Sequence, residues 1–412
     1  MTYFNKIGIY GADSPSVDAF ARLRTSQPFT LFDSKLIYDS RDLFWDWSGS
    51  LGATNAYSQS QATYHLQVPA VAGARGIRQT HNWFNYQPGK SQLIILTGVV
   101  NPQSGISKKL GYFNDANGLF WEFSGSEVYV VKRSSATGTP VDTKVSQSAW
   151  NLDVVDGSGT SGINKDWTKA QIFIIDFEWL GVGRVRFGHF HGGNAVYTHE
   201  FDHENNLSTV YMSSPNLPVR YEIQNNDGAQ AGSFAEICTS VISEGGLDPI
   251  GKSTAISTKQ VARTVTTAVT GALVAIRLKT GYEGSRIEVE NLSIGSPTET
   301  NVSYWQLMFN PSGSNSFIWE DIPNSSLQKA TNVSTVNINL SGSHSVMMDD
   351  GFMVAATGQG TTDPSAELNS GVSTLLRLGQ KIDGTKDVIA LGVSPSAATA
   401  TYYASLKITE IG

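Results

Sequence analysis

The stretch AQIFIIDFEWLGVGRVRFGHFHGGNAVYTHEF, residues 170–201, decides the backbone type of this chain. β-Branched and aromatic residues fill it. Gly181 with Gly183, then Gly192 with Gly193, cut it into pieces of strand length. It reads as several strands, and it runs directly into HEFDHENN, residues 199–206, which contains H-E-x-x-H. That spacing makes a zinc site only on an α-helix, where positions four apart share a face. On a strand the two histidines stand about 13 Å apart, too far to share an ion whose ligand bonds are about 2 Å. The glutamate between them points the other way. The expectation is a charged strand end, with His199, Phe201 and His203 on one face and Glu200, Asp202 and Glu204 on the other. His189 and His191 share a strand face about 6.6 Å apart. The sequence nominates no third ligand for them, so they read as polar face residues.

Moving outward, the same period recurs from residue 36 to 245. QATYHLQVPA sets Tyr64, Leu66 and Val68 against Thr63, His65 and Gln67. SQLIILTGVV is a continuous apolar run, as in a central strand, and GLFWEFSGSEVYVVKRS reads as two strands around a turn at Ser124–Ser126. Turn signals about every ten residues suit a two-sheet sandwich. SEGGLDPIGKSTAISTKQ, residues 243–260, is poor in large apolar residues, and residues 246–260 read as a linker. Beyond it RIEVEN places Ile287 and Val289 on one face, and STVNINLSG does the same with Val336, Ile338 and Leu340. The expected class is all-β: a jelly-roll or concanavalin-like sandwich over 36–245, then a second, smaller sandwich over 261–412. Residues 1–35 read as an N-terminal arm with a short helix in DSPSVDAFARLRT, where Asp13 and Ser14 cap and Pro15 fits the first turn. Two readings of that helix stand: a surface helix packed on the first sheet, or an attachment arm.

Composition narrows the function. The 412 residues carry a formal charge of −7 with no basic tract, which argues against a nucleic-acid groove. Charged residues are only 16%, and 40 glycines help fill the gap, which favours short strands and tight turns. Cys238 is the only cysteine, so neither an intrachain disulfide nor a thiolate metal cluster is available; its apolar surroundings suggest a buried, inert thiol. No apolar run reaches membrane-spanning length, and the start lacks the pattern of a secretion signal. No metal or cofactor is expected.

IFIIDFEWLG, residues 172–181, resembles the strand motif of the laminarinase and lichenase type of glycoside hydrolases, which are jelly-roll sandwiches. Their motif, Glu-x-Asp-x-Glu, puts nucleophile and acid/base on one strand face, as a retaining mechanism requires. Here Asp176 and Glu178 fill the last two places, but Ile174 stands where the nucleophile would be. Retention by that scheme therefore lacks its first group. Asp176 and Glu178 read instead as partners of Arg184 and Arg186 in an internal ion-pair cluster. GVGRVRFG is no dinucleotide fingerprint, because a strand follows its glycines where a helix is needed. Aromatics beside amides, as in NWFNYQ (82–87) and WNLDVVDG (150–157), offer Trp83, Tyr86 and Trp150 either as glycan contacts or as core.

Five ordered blocks go further: RLRTSQPFTLFDSK (22–35), IRQTHNWFNYQPGKSQLIILTGV (77–99), IIDFEWLGVGRVRFG (174–188), NLPVRYEI (216–223) and ICTSVISEGG (237–246). Together they resemble a group of tailed-bacteriophage virion structural proteins with relatives in other large DNA viruses. The resemblance implies a non-enzymatic particle component, made in the host cytoplasm and carried in the virion, at the tail, baseplate or fibre, or as a capsid decoration. Its partners would be other virion proteins and copies of itself, and host surface glycan if it acts as a receptor-binding module. It implies neither nucleic-acid binding nor membrane insertion, and it carries over no catalytic residue. Arg22 and Arg24 share a face if their segment is extended. They could then clamp a neighbour's carboxylates or stand as a solvated pair.

Overall fold

Alternation of apolar and polar side chains is written into strand after strand, and the computed structural model shows the sheets it produces. The structure describes residues 25–297, 301–331, 336–354 and 377–412. The helix expected at 13–25, with Arg22 and Arg24, lies outside them, save for its last residue.

The first sandwich holds β1 (Phe29–Lys35), β2 (Trp45–Ser50), β3 (Thr54–Ser58), β4 (Thr63–Val68), β5 (Arg75–Thr80), β6 (Gln92–Val99), β7 (Ile106–Phe113), β8 (Gly118–Ser124), β9 (Glu127–Ser134), β10 (Val141–Ser146), β11 (Ala170–Phe177), β12 (Val185–His191), β13 (Asn194–Phe201), β14 (Val219–Asn225) and β15 (Gly232–Ser243). One sheet runs β13-β12-β11-β6-β15-β4-β3, with β1 also paired to β15; the other runs β10-β9-β8-β7-β14-β5-β2. The expected patterns are met locally. Tyr64, Leu66 and Val68 face the core. β6 is central, between β11 and β15. β8 and β9 form a hairpin whose turn residue Gly125 has φ +63°, a conformation glycine adopts without strain.

Large rings fill the space between the sheets. Trp121 meets Trp150, Phe173 and Phe187 at centroid distances of 5.4–5.7 Å. One charged pair sits among them. Arg78 Nε donates to Glu236 at 2.6 Å, and both side chains are buried. The Arg78 guanidinium also lies 3.6 Å from the Tyr64 ring centre and 4.8 Å from that of Trp45. Arg78 is on β5 and Glu236 on β15, so the pair ties the two sheets together.

The second sandwich holds β16 (Lys252–Ser257), β17 (Arg263–Val265), β18 (Gly271–Leu278), β19 (Arg286–Gly295), β20 (Val302–Phe309), β21 (Glu320–Asp321), β22 (Leu327–Ala330), β23 (Val346–Val354), β24 (Ile389–Pro395) and β25 (Ala400–Ile411). β25 pairs with β16, β17 and β19, opposite a sheet ordered β21-β22-β18-β24-β20-β23. Ile287 and Val289 are buried between them, as expected. Two expectations are corrected. The proposed linker contains β16, an edge strand with one neighbour, which needs only Ile256 as an apolar anchor. The stretch 336–340 makes isolated bridges to Gly271 and Ser312 instead of a regular strand, and Leu340 is exposed while Ile338 is buried.

The sandwiches meet along β2 and the end of β5. Gln380 N–H donates to His81 O at 3.0 Å, and Ile382 N–H donates to Asp46 Oδ2 at 2.9 Å. Leu43 packs on the second core.

Candidate functional site

Three places could carry chemistry: the carboxylate-bearing strand β11, the outer face of the seven-stranded sheet, and a cleft between the sandwiches. On β11, Phe173, Ile175 and Phe177 point into the core, so Ile174 and Asp176 share the opposite face. Ile174 is itself buried. Asp176 Oδ2 accepts hydrogen bonds from the Arg186 guanidinium and from Tyr197 Oη, the latter at 3.0 Å. Burial and the Asp176 charge push the Tyr197 phenol up to about 12, so it remains a donor.

The second half of the expected ion-pair cluster is different. β11 ends at Phe177, and Glu178 lies beyond it, exposed. Its Oε1 accepts the backbone N–H of Arg184 at 3.2 Å, while the Arg184 guanidinium lies 3.5 Å from Glu200. The strand period that would have aligned Asp176 and Glu178 is broken by the turn.

Of the H-E-x-x-H histidines, His199 lies on β13 and His203 two residues past its end, and both make structural contacts. His199 Nδ1 accepts Asn151 N–H at 3.3 Å. His203 Nδ1 lies 2.6 Å from Gly183 O, and its Nε2 lies 2.9 Å from Lys132 Nζ. These contacts require an Nδ1–H tautomer that accepts from the lysine. The Phe201 ring stands beside each of them, with centroids 4.6 Å from His199 and 6.3 Å from His203. His189 is fully buried and His191 exposed, so this pair shares no site. Burial lowers the His189 pKa to about 3 and that of His199 to about 4.

On the outer face of the seven-stranded sheet, charges alternate across strands. Glu222 on β14 takes Arg75 at 2.8 Å and Lys109 at 3.3 Å; Asp115 takes Arg220 at 2.6 Å; Asp142 takes Arg133 at 2.7 Å; Glu122 takes Lys144 at 2.6 Å. Burial opposes ionisation of Glu222, but its three cations outweigh it and hold the carboxyl below its ordinary value. Each of these acids is committed to a cation.

The cleft between the sandwiches has a volume of about 780 Å³. Trp83 and Asn216 line it from the first sandwich, and Lys252, Tyr282, Glu283 and Glu410 from the second. Its acids are also occupied. Glu410 accepts from Thr254 at 2.6 Å and from Ser325 and the Ser326 N–H at 2.7 Å. Burial raises its pKa, and these hydrogen bonds more than reverse that, so it lies below the ordinary value. Glu283 pairs with Lys386 at 2.9 Å.

Of the three rings offered as glycan contacts, only Trp83 reaches this cleft. Tyr86 is buried, stacked on Phe177 at 5.9 Å, and accepts Trp179 N–H through its hydroxyl at 3.0 Å. Trp150 is buried edge-on to Trp121, and its Nε1 donates to Val145 O at 3.1 Å. The amides that suggested a wet platform, Asn82 and Asn85, are buried as well. Cys238, expected to be buried, is exposed: a bulge between Glu236 and Cys238 turns it outward. Sequence reasoning missed the neighbourhood of His81, which the fold brings beside residues far along the chain.

No family model and no curated protein matches the chain. Among solved structures it is similar to a protein of unknown function from Shewanella oneidensis MR-1, at 8% identity and TM-score 0.34 over 53% of this chain and 88% of that one. It is similar to a Bacillus licheniformis beta-glucanase, at 9% identity and TM-score 0.34 over 53% of this chain and 99% of that one. It is also similar to a legume lectin-like domain from Entamoeba histolytica, at 11% identity and TM-score 0.31 over 51% of this chain and 96% of that one.

Proposed function

We propose that the chain is a non-enzymatic structural component of a bacteriophage particle, associated with the tail, baseplate or fibre, with a capsid decoration as the neighbouring alternative. One observation carries this reading. Four of the five blocks behind the virion resemblance meet as adjacent strands: β1 and β6 flank β15, β6 pairs with β11, and β11 with β12. The fifth places β14 beside β5 in the facing sheet. The blocks thus describe one continuous structural unit. In addition, β1 joins the residues of the proposed arm to that unit, and Ser26 Oγ donates to Glu244 O at 2.9 Å. A pull on the arm would load the sheet directly.

The state of the acids supports a non-enzymatic role. Asp176 is spent on Arg186 and Tyr197, the sheet-face acids on their cations, and the cleft acids on hydroxyls and lysines. A retaining pair needs one free nucleophile and one free acid about 5–5.5 Å apart, and these carboxylates are held instead as structural ions. Purified particles tested by quantitative mass spectrometry should contain the chain in stoichiometric copy number. Its absence from them would overturn the reading.

Trp83 and Tyr282 support a second reading, recognition of host surface glycan in the cleft. Tyr282 is half exposed, and Lys252 and Asn216 supply polar edges. Stacking plus hydrogen bonds is how such clefts hold sugar rings. Saturable binding on a glycan array that is lost in Trp83→Ala would support it. No binding at high protein concentration would remove it.

A further inference from the structure

Among the described residues, one group of His and Asp side chains places three ligand atoms within 4.8 Å of one another: Asp46, His81 and His344. Asp46 lies on β2, and His81 directly follows β5. Phe44 O accepts His81 N–H at 2.9 Å, which continues the β2–β5 pairing and sets both side chains on the outer face of that sheet. His344 comes from the second sandwich. Its ring stacks on His81 with centroids 5.1 Å apart.

His81 is the informative residue. It is 2% exposed, and its Nδ1 lies 3.2 Å from Asp387 Oδ1. Asp387 is itself buried and further fixed by Asn310 Nδ2 at 2.6 Å and Gly379 N–H at 3.0 Å. With Nδ1 engaged by a carboxylate, the nitrogen left for any other partner is Nε2. That atom is buried and has no hydrogen-bond partner. A buried imidazole held by a carboxylate, with its second nitrogen bare, is the outer-shell arrangement of metal-ligating histidines. Asp46 adds a charged oxygen: Oδ2 accepts Ile382 N–H, which leaves Oδ1.

We propose that Asp46, His81 and His344 form a divalent-metal site that clamps the two sandwiches together, taking a zinc-like ion on imidazole nitrogen and carboxylate oxygen. Tetrahedral ligation with bonds of about 2.0–2.1 Å needs ligand atoms about 3.3 Å apart. The group must therefore close by about 1.5 Å or less. Asp46 and His344 are only half-buried and can make that movement. His344 also lines a surface cleft of about 390 Å³, which gives an ion an entrance and room for a water as fourth ligand. Two ligands come from one sandwich and one from the other, so the ion would fix how the domains sit. Lys381 lines the same cleft and works against cation entry; Asp46 and Asp387 supply two negative charges to set against it.

The test uses the full 412-residue chain, stripped with a chelator and titrated with cobalt(II) and then zinc. The proposal expects one equivalent of cobalt with a visible absorption band, its displacement by zinc, and a higher melting temperature with metal. His344→Ala, a half-buried residue, should melt like the metal-free wild type and bind at least about 100-fold more weakly. Asp387→Asn should weaken binding about 10–100-fold with all three ligands in place. No saturable uptake by the wild type would overturn the proposal. So would uptake by His344→Ala and Asp46→Asn equal to that of the wild type, since the ion would then be bound elsewhere.

Discussion

Ile174 and Asp176 stand two residues apart on one strand face, where the Glu-x-Asp-x-Glu motif would place its nucleophile at the first position. The first is buried and inert; the second is an anchor for Arg186 and Tyr197. Asp176→Asn should therefore cost stability of about 1.5–3 kcal/mol, the range for hydrogen bonds to a charged group, read from chemical denaturation. An accompanying loss of any hydrolytic rate would contradict the account. His189 makes a second residue-level prediction. Its folded pKa is depressed from 6.5 to about 3 by burial, so below pH 6.5 the unfolded chain binds a proton that the folded chain refuses. Its contribution is fully present above pH 6.5 and is lost as the pH falls toward 3. His189→Leu should flatten the stability profile in that window, measured by denaturant midpoints from pH 7 to 4.

At the scale of elements, strands were legible because period two needs only neighbours in sequence. QATYHLQV and RIEVEN each carried their own inward face, and SQLIILTG, a continuous apolar run, marked the central strand β6. What was not legible depended on partners. KSTAIS looked like linker because an edge strand with one neighbour needs a single apolar residue, Ile256. Rings beside amides looked wet, but Asn82, Asn85, Tyr86 and Trp150 are buried together with their hydrogen bonds. The bulge at Glu236 both exposes Cys238 and aims Glu236 inward to Arg78. That pair is a strong test of the sheet-to-sheet link. Arg78→Met leaves a buried carboxylate alone and should cost about 3–5 kcal/mol. Adding Glu236→Leu should recover much of the loss in thermal denaturation; no recovery would place the cost in packing rather than charge.

At the scale of the whole molecule, the joint was invisible in the sequence because residues 46, 81, 344 and 387 carry no common spacing. The fold creates it by setting the end of β5 against the segment 377–387. Gly379 shows how close that approach is: a Cβ there would stand 2.0 Å from His81 O. Gly379→Ala should loosen the joint at a cost of about 1–3 kcal/mol, and calorimetry should show the two sandwiches melting apart. A two-sandwich body joined in this way suits the proposed role in a particle, which is to hold position. The central claim, that the chain is a structural part of a phage particle, is tested most directly by quantitative mass spectrometry of purified particles. The account predicts the chain at a fixed copy number per particle, in step with the known structural proteins. Its absence from particles, with the protein recovered only from the soluble lysate, would contradict it.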